Sequence, residues 1–480
     1  MTAKRLSPLR SAAIALLLLS SSGIGIAHAE TLQGALARAY QSNPTLTGAR
    51  AGQRATDENV PIQKAAGRPN IGASAEFQEL VVRPASSFIS PHRSANASAS
   101  ISVPIYSGGA VRNGVKAAKT RVEAGRADLR ATEASIFAQV VAAYMDVIRD
   151  SAIVSLNLAN VKVLDVNLQA TNDRFEVGDL TRTDVAQSQS RLALARSDLQ
   201  TAQANLIGSR ENYIALVGAA PDDLTPPPAL PGLPATPEIA VQVALADNPD
   251  IQSAQKAAEA ARYDVRVARA RALPTLTGFT QGSYTDYLDN ALAANKQVAV
   301  GVTATLPLYQ GGRPAAQVRQ SQALQSRAME QEIGVERGVI AQARAAYASW
   351  QASLLTIQSS QTAVDAANLS LEGVRAENSV GSRTILDILN AEQEALIANV
   401  QLVSARRNAY VAGFSLLAAM GHAEAKDLAL DGGALYDPVV NYDRVKGKWF
   451  DWDYDPAPAP VATRTVDSLA QNANVAATAQ

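Results

Sequence analysis

The 480-residue chain carries 43 basic and 44 acidic side chains, a formal charge of −1, and only 5% aromatics. That balance provides no basic face for nucleic acid, and the lack of cysteine excludes disulfide staples, thiolate metal sites, a cysteine nucleophile and a lipidated N-terminal cysteine. Beyond the first 29 residues the histidines are His92 and His422, far apart in sequence, so neither a metal site nor a cofactor is expected.

Lys4, Arg5 and Arg10 precede an apolar run centred on residues 13–19, followed by Ala27, His28 and Ala29. This is the pattern of a signal peptide over residues 1–29, with cleavage expected after Ala29. Removing it leaves 40 basic against 44 acidic residues, a charge of −4. No later stretch offers about 18 uninterrupted apolar residues, so a helical membrane span is disfavoured.

Sliding the chain against itself reveals a duplication. Residues 39–44, ending Asn43-Pro44, match 244–249, ending Asn248-Pro249, and Pro69 matches Pro274, both at an offset of 205. The offset then becomes 203, pairing Pro104, Tyr106, Gly108 and Gly109 with Pro307, Tyr309, Gly311 and Gly312, and Tyr144 with Tyr347. It also pairs Val177, Gly178 and Asp184 with Val380, Gly381 and Asp387, and Gly218 with Gly421. Each half, 30–220 and 238–421, reads helix, strand, strand, long helix, shorter helix. Residues 221–237 hold seven prolines and read as an extended linker. Residues 422–454 read as irregular, with Trp449, Phe450 and Trp452, and 455–480 as a disordered tail.

In the first half, residues 95–103 alternate apolar and polar side chains without a miss, the strand signature, and 298–306 alternate likewise in the second with small residues on the second face. Their partners are expected at 71–80 and 276–284, across turns holding Pro84, Pro91 and Asp286. Strands of this length cross a bilayer when tilted, a requirement of about 9–11 residues. The plainer alternative is a pair of ordinary surface hairpins. Four strands cannot close a barrel and open edges are not tolerated in lipid, so several copies must share one; three would supply twelve strands, and two or four are also allowed.

Pro104 and Pro307 stand at strand exits, and the Gly108-Gly109 and Gly311-Gly312 pairs permit the turn into a long helix. From Ala110 to about Asn172 there is no proline, and a seven-residue series runs through Val140, Val147, Val154, Val161, Leu168 and Phe175. Its duplicate runs through Ala343, Trp350, Ile357, Val364 and Leu371 until Asn378 breaks it. At 1.5 Å per residue each helix would be about 95 Å long. Coiled-coil partners are expected from the shorter helices, with seams at Val185, Leu192, Leu199, Leu206 and Tyr213, and at Leu389, Leu396, Val403, Tyr410 and Leu417.

The Asn-Pro sites, the paired Pro-x-Tyr-x-Gly-Gly junctions and the Val-Gly-x5-Asp sites together resemble the TolC family of outer-membrane channel components up to about residue 420. The resemblance implies a mainly α fold with membrane β-structure: long helical coiled-coil hairpins plus four transmembrane strands per protomer, and a homotrimer with a twelve-stranded barrel. It also implies a helical tunnel crossing the periplasm, where a membrane-fusion adaptor and an inner-membrane pump dock. Val177, Gly178, Asp179, Val380, Gly381 and Ser382 would be the adaptor-facing tips; the plainer alternative is that the glycines only permit helix reversal. The family's entrance is closed by aspartate rings and charged links. Asp387 keeps the first ring position, Asn390 replaces the second aspartate, Arg383 and Asp184 retain a charged link, and Asn378 stands where a supporting tyrosine is expected. As an alternative, these charges are solvated helix-end residues.

Three function classes compete. An enzyme would need a nucleophile with its base, a phosphate loop or metal ligands, and the sequence clusters none. A soluble periplasmic coiled-coil adaptor would need no pair of bilayer-length hairpins. A passive duct uses every feature. The segment from Leu435 to Trp449 resembles type I protein-secretion members, tilting the partner toward an ABC transporter, with small-molecule efflux through an RND-type pump as the alternative. Outer-membrane lipid would surround the strands.

Overall fold

The computed structural model describes residues 30–82, 92–288, 293–430 and 435–475. The signal segment and the turn prolines Pro84 and Pro91 lie outside the described residues. Each half begins with a helix that the sequence reading took as one piece and the structure breaks at asparagine. Helix α1 (Leu32–Ser42) stops at Asn43, which caps α2 (Pro44–Asp57), followed by the short α3 (Asn59–Ala65). In the second half α6 (Pro237–Asp247) stops at Asn248, which caps α7 (Pro249–Ala270). Asn43 Oδ1 accepts from the amides of Thr45 and Leu46, and its Nδ2 donates to the Leu216 carbonyl at 2.9 Å. Asn248 repeats this with Asp250, Ile251 and the Ala419 carbonyl, again at 2.9 Å. The side chain thus starts one helix and satisfies a carbonyl at the end of another, and proline at the first helical position fits because its missing N–H has no intrahelical partner there.

The strands are β1 (Asn70–Glu79), β2 (Arg93–Tyr106), β3 (Thr275–Tyr287) and β4 (Asn295–Thr305), in one antiparallel sheet ordered β1-β2-β3-β4. Strands β2, β3 and β4 outrun their sequence limits. Asp286, expected in a turn, pairs with Ala95 inside β3. Pro104 does not end β2: it pairs with Thr277, and the ladder shifts before Tyr106 pairs with Leu276, leaving Ile105 as an extra residue. A bulge absorbs the irregularity that proline imposes on the ladder.

Helices α4 (Ala110–Glu176) and α8 (Arg313–Ser379) have 67 residues each, and their antiparallel partners α5 (Arg182–Val217) and α9 (Ile385–Met420) have 36 each. At 1.5 Å per residue the long helices span about 100 Å. Below the sheet the helices lie side by side in the order α2 and α3, α4, α7, α8; lower down, α4 packs on α5, α8 on α9, and α4 on α9. One window of α4 is apolar enough to match a membrane span by length and composition, but half of it is buried against the protomer's own helices. That stretch supplies Phe137, Val140, Val141 and Tyr144 to the main core, where they meet Leu36, Leu46, Leu206 and Tyr213. Each such large side chain taken from water is worth about 1.5–3 kcal/mol.

The expected seams hold in α4 and α5 at Val140, Val147, Val154, Leu192, Leu206 and Tyr213, all buried, whereas Phe175 at the lower end is exposed. In α9 the seam differs. Leu389 and Leu417 are buried, but the continuous stripe is Ala391, Ala395, Ala398, Leu402, Ala405, Ala409 and Leu416. Small side chains at alternating steps of four and three bring α9 close to α8, where Val364 and Ala367 close the contact.

Residues 221–236 form neither helix nor strand and are held by the duplicated tyrosines. Tyr144 donates to the Thr225 carbonyl at 2.7 Å, and Tyr347 donates to the Ala235 carbonyl at 2.8 Å. The C-terminal part departs from the sequence reading. Helix α10 (Pro438–Val445) forms within the segment read as irregular and packs on α2. The tail read as disordered is described to residue 475 and contacts α5: Arg210 donates to the Asn474 carbonyl at 2.8 Å, the Gln471 amide to Glu211 at 3.0 Å, and Ala473 and Val475 pack on the main core.

Candidate duct wall and periplasmic entrance

The strand registers divide the sheet into two chemically distinct faces. Cross-strand partners share a face, so Ile71, Ile101, Thr280 and Val300 lie together, as do Ala73, Ala99, Gly282 and Val298, and Val103, Gly278 and Val302. The opposite face carries Gly72, Ser100, Gln281 and Ala299, then Ser74, Ser98, Ser283 and Gln297, then Glu76, Asn96 and Thr285. Ser74 and Ser98 share a hydrogen bond of 2.9 Å on this side. On the first face Ile71, Val298 and Val300 are at least 75% exposed. A row of bare aliphatic side chains opposite a row of hydroxyls and amides is the pattern of a barrel wall with lipid outside and water inside. The nine residues of β2 from Ala95 to Val103 extend roughly 30 Å along the strand, enough to span the hydrocarbon when tilted.

The junctions convert strand to helix in the same way twice. Gly108 and Gly109 have φ of 62° and 87°, Gly311 and Gly312 of 62° and 78°. At Gly108 a Cβ would also lie 2.7 Å from the Ala270 carbonyl oxygen, so α7 and the start of α4 meet backbone to backbone. Pro307 follows β4, whereas Pro104 is inside the end of β2.

At the other end of the long helices the two tips share one construction. In the first, the amide of Gly178 donates to the Phe175 carbonyl and that of Asp179 to the Arg174 carbonyl; in the second, Gly381 donates to Asn378 and Ser382 to Glu377. Gly178 and Gly381 take φ of 84° and 81°. This is the glycine stop of an α-helix, in which two otherwise orphaned carbonyls find amide donors beyond the helix end. Val177 and Val380 are left about 80% exposed at the two points.

The carboxylates of the sequence-predicted gate have local work as well. Thr181 begins α5 by capping Asp184, whose Oδ2 accepts from the Thr181 amide at 2.9 Å and hydroxyl at 2.7 Å; Thr384 and Asp387 repeat both bonds at the start of α9. These reciprocal boxes hold both carboxyls below their ordinary pKa through the threonine hydrogen bonds, so both are ionised at neutral pH. Within one protomer the structure does not join Arg383 to Asp184. Arg383 Nε pairs with Glu377 at 2.7 Å, and Asn378 donates to the Arg383 carbonyl at 2.7 Å, bracing the turn without an aromatic ring. Asn390 accepts from Arg191 of α5 at 2.7 Å, joining the two hairpins.

A second inter-hairpin link escaped the sequence reading. Glu392 on α9 is 6% exposed; its carboxylate accepts from Asn167 of α4 at 3.0 and 3.1 Å and from Arg375 of α8 at 3.0 Å. A glutamate beside the alanine seam of α9 was the available signal. Nearby, Leu389 packs with Leu164 and Leu192, so an apolar layer joins the hairpins at the level of the polar links. Higher up, Arg407 of α9 grips Asp146 of α4 at 2.8 and 3.1 Å. Among the described residues there is no cluster suited to a metal ion.

A two-faced membrane sheet joined to hairpins about 100 Å long defines a subunit of an outer-membrane duct. The chain belongs to the outer membrane efflux protein family, whose profile it matches over residues 35–219 and 240–422. These limits coincide closely with the two structural repeats. It is similar to the outer membrane efflux protein BepC of Brucella suis, 36% identical over 423 residues covering 88% of this chain and 91% of that protein. The outer membrane protein TolC of Escherichia coli is 29% identical over 351 residues, 67% of this chain and 70% of that protein. Among solved structures, the CmeC outer membrane channel of Campylobacter jejuni superposes with a TM-score of 0.74 at 16% identity, covering 87% of this chain and 89% of that one. The expected fold class and outer-membrane location are therefore correct: this is an outer-membrane efflux channel of the kind used in tripartite export. The soluble adaptor reading falls with them.

Proposed function

We propose that the protein is the passive exit duct of a type I protein-secretion system, assembled as a homotrimer with a twelve-stranded barrel and supplied by an inner-membrane ABC transporter through a periplasmic adaptor. The observation that carries the duct is the two-faced sheet running through twin glycine junctions into unbroken long helices. The resemblance of residues 435–449 to secretion members supports protein as the cargo, and α10 gives that segment a fixed place on α2. The likeness to BepC, an efflux protein by name, supports efflux as the second reading, in which small molecules would be supplied by an RND-type pump. No catalytic step is assigned; energy and substrate choice reside in the pump.

In this reading the exposed Val177 and Val380, with Gly178, Asp179, Gly381 and Ser382, are the adaptor-docking tips. Asp387 forms a single carboxylate ring in the trimer, and Asn390 gives hydrogen bonding without a second ring, so the focused negative potential is smaller than two rings would create. Asp184 and Arg383, unjoined within a protomer, are assigned to a link between neighbouring protomers.

The test is single-channel recording of the purified protein in a planar bilayer, with mass measurement to count protomers. Three protomers giving small, cation-preferring steps support the duct, and a monomer without conductance overturns it. Arg383→Ala should raise resting conductance; unchanged conductance in an intact trimer would remove the Asp184 to Arg383 link. Cargo is decided by deleting the gene and following secreted proteins and drug sensitivity side by side.

A further inference from the structure

Residues 449–454 carry four large aromatics in six positions. Trp449, Phe450, Trp452 and Tyr454 are 56%, 73%, 80% and 81% exposed. Such an apolar cluster on an ordinary hydrated surface is costly and marks a contact site. The loop that bears it is firmly built. Its base is closed by Arg444, which holds Asp455 with bonds of 2.6 and 2.8 Å, and by Lys448, which reaches Asp453 at 3.1 Å. Arg68 donates to the Lys448 carbonyl at 2.7 Å while its guanidinium lies 4.4 Å from the centre of the Trp449 ring, and Lys64 donates to the Lys446 carbonyl at 2.6 Å.

Those anchors fix the height of the loop. Arg68 stands two residues before β1, whose apolar face begins at Ile71, 75% exposed. The loop therefore lies beside the periplasmic rim of the sheet. At the same rim Tyr106, Leu308 and Tyr309 are 52%, 88% and 89% exposed. Tryptophan and tyrosine favour the boundary between headgroups and acyl chains, where the ring is buried and its N–H or O–H stays wet, and neighbouring Lys and Arg reach lipid phosphates.

We propose that the 449–454 loop is an interfacial foot, which seats Trp449, Phe450, Trp452 and Tyr454 in the periplasmic leaflet of the outer membrane beside the barrel strands. The foot continues the lipid-facing surface of the sheet beyond its last hydrogen bond. Pairing with Lys448 offsets the Asp453 charge, so this carboxylate can stay at headgroup level. The inference rests on the outer-membrane location and not on the cargo assigned above.

The chain has three tryptophans. Trp350→Phe with Trp449→Phe leaves Trp452 as the sole reporter. The assembled protein, its protomer count checked by mass, is placed in vesicles of phosphatidylethanolamine and phosphatidylglycerol containing lipid brominated near the headgroup end of the acyl chain. Blue-shifted emission, mostly lost to the brominated lipid and little affected by aqueous iodide, is expected. Emission typical of water, quenched by iodide alone, overturns the proposal, as does blue-shifted emission that neither agent quenches, which would bury the loop against a neighbouring subunit. Trp350→Phe with Trp452→Phe makes Trp449 a second reporter with the same expectation should the first variant fail to assemble.

Discussion

Replacing Glu392 by alanine removes the acceptor that joins three helices above the entrance. Arg375 is half exposed and regains water when released, so its share of the loss is at most about 1 kcal/mol. Asn167 loses both bonds to the carboxylate in a partly buried position, which costs about 1–3 kcal/mol. The expected local destabilisation is thus about 1–4 kcal/mol, and even the lower figure raises the open population about 5-fold. Hydrogen exchange in residues 160–176 of α4 should accelerate by that factor, while amides around Val140 in the main core stay protected. Resting conductance should rise in parallel, because α4 is no longer tied to α8 and α9 near the tips. Arg375→Ala is the comparison, with an effect of at most about 1 kcal/mol. Should Glu392→Ala change exchange no more than Arg375→Ala does, the link through Asn167 carries no load and the reasoning fails.

Asn248→Ala should lose a helix cap worth about 1 kcal/mol and strand the buried Ala419 carbonyl at a cost of about 1–3 kcal/mol. Asn248→Ser should restore only the cap, and faster exchange at Asp250 and Ile251 in the alanine variant alone would show it. Asn43→Ala should mirror the result in the first half. Gly421 has φ of 83° and a Cβ there would lie 2.6 Å from the Asp247 carbonyl oxygen, whereas at Gly381, with φ of 81°, a Cβ meets nothing within 4 Å. Gly381→Ala should therefore cost only the left-handed penalty of about 1–2 kcal/mol, and Gly421→Ala clearly more, read as the fall in thermal transition. The depressed carboxyls of Asp184 and Asp387 contribute stability that is complete above the ordinary value of 3.8 and is lost as pH falls through the lower folded values. First-turn amides of α5 and α9 should stay protected to below pH 3.8, and Thr384→Val should move the loss in α9 upward; equal profiles would refute the cap assignment.

The duplicated marks made the two halves, the hairpins and the glycine turns legible before any coordinates, because a backbone reversal needs particular residues at particular places. Limits set by packing were harder to read. The proline-free stretch reads only to about Asn172, although its heptad series reaches Phe175; the helix runs to Glu176 and stops only where Gly178 accepts a positive φ, even though Phe175 has no core to enter. In α9 the eye goes to leucine and valine, while the contact is made by alanines, whose small side chains leave little hydrophobic signal. Asp184 and Asp387 follow threonine at the spacing of a capping box, a pattern overlooked beside their expected role in the entrance. The tail beyond Asp455 has the composition of disorder, yet Arg210 and Glu211 hold it through its main chain, a kind of contact that composition does not register.

The clasp between Arg407 and Asp146 stands 31 residues above the tip at Val177, about 46 Å along α4. If that clasp serves as the pivot, a swing of only about 12° carries the tip about 10 Å sideways. Spread over so many turns, the bend needs no broken hydrogen bond and no hinge residue, since long helices curve gently without one. A duct wall of unbroken helices therefore acts as a set of levers: on the proposed docking at Val177 and Val380, a partner that pulls weakly there gains mechanical advantage from the length of the rod.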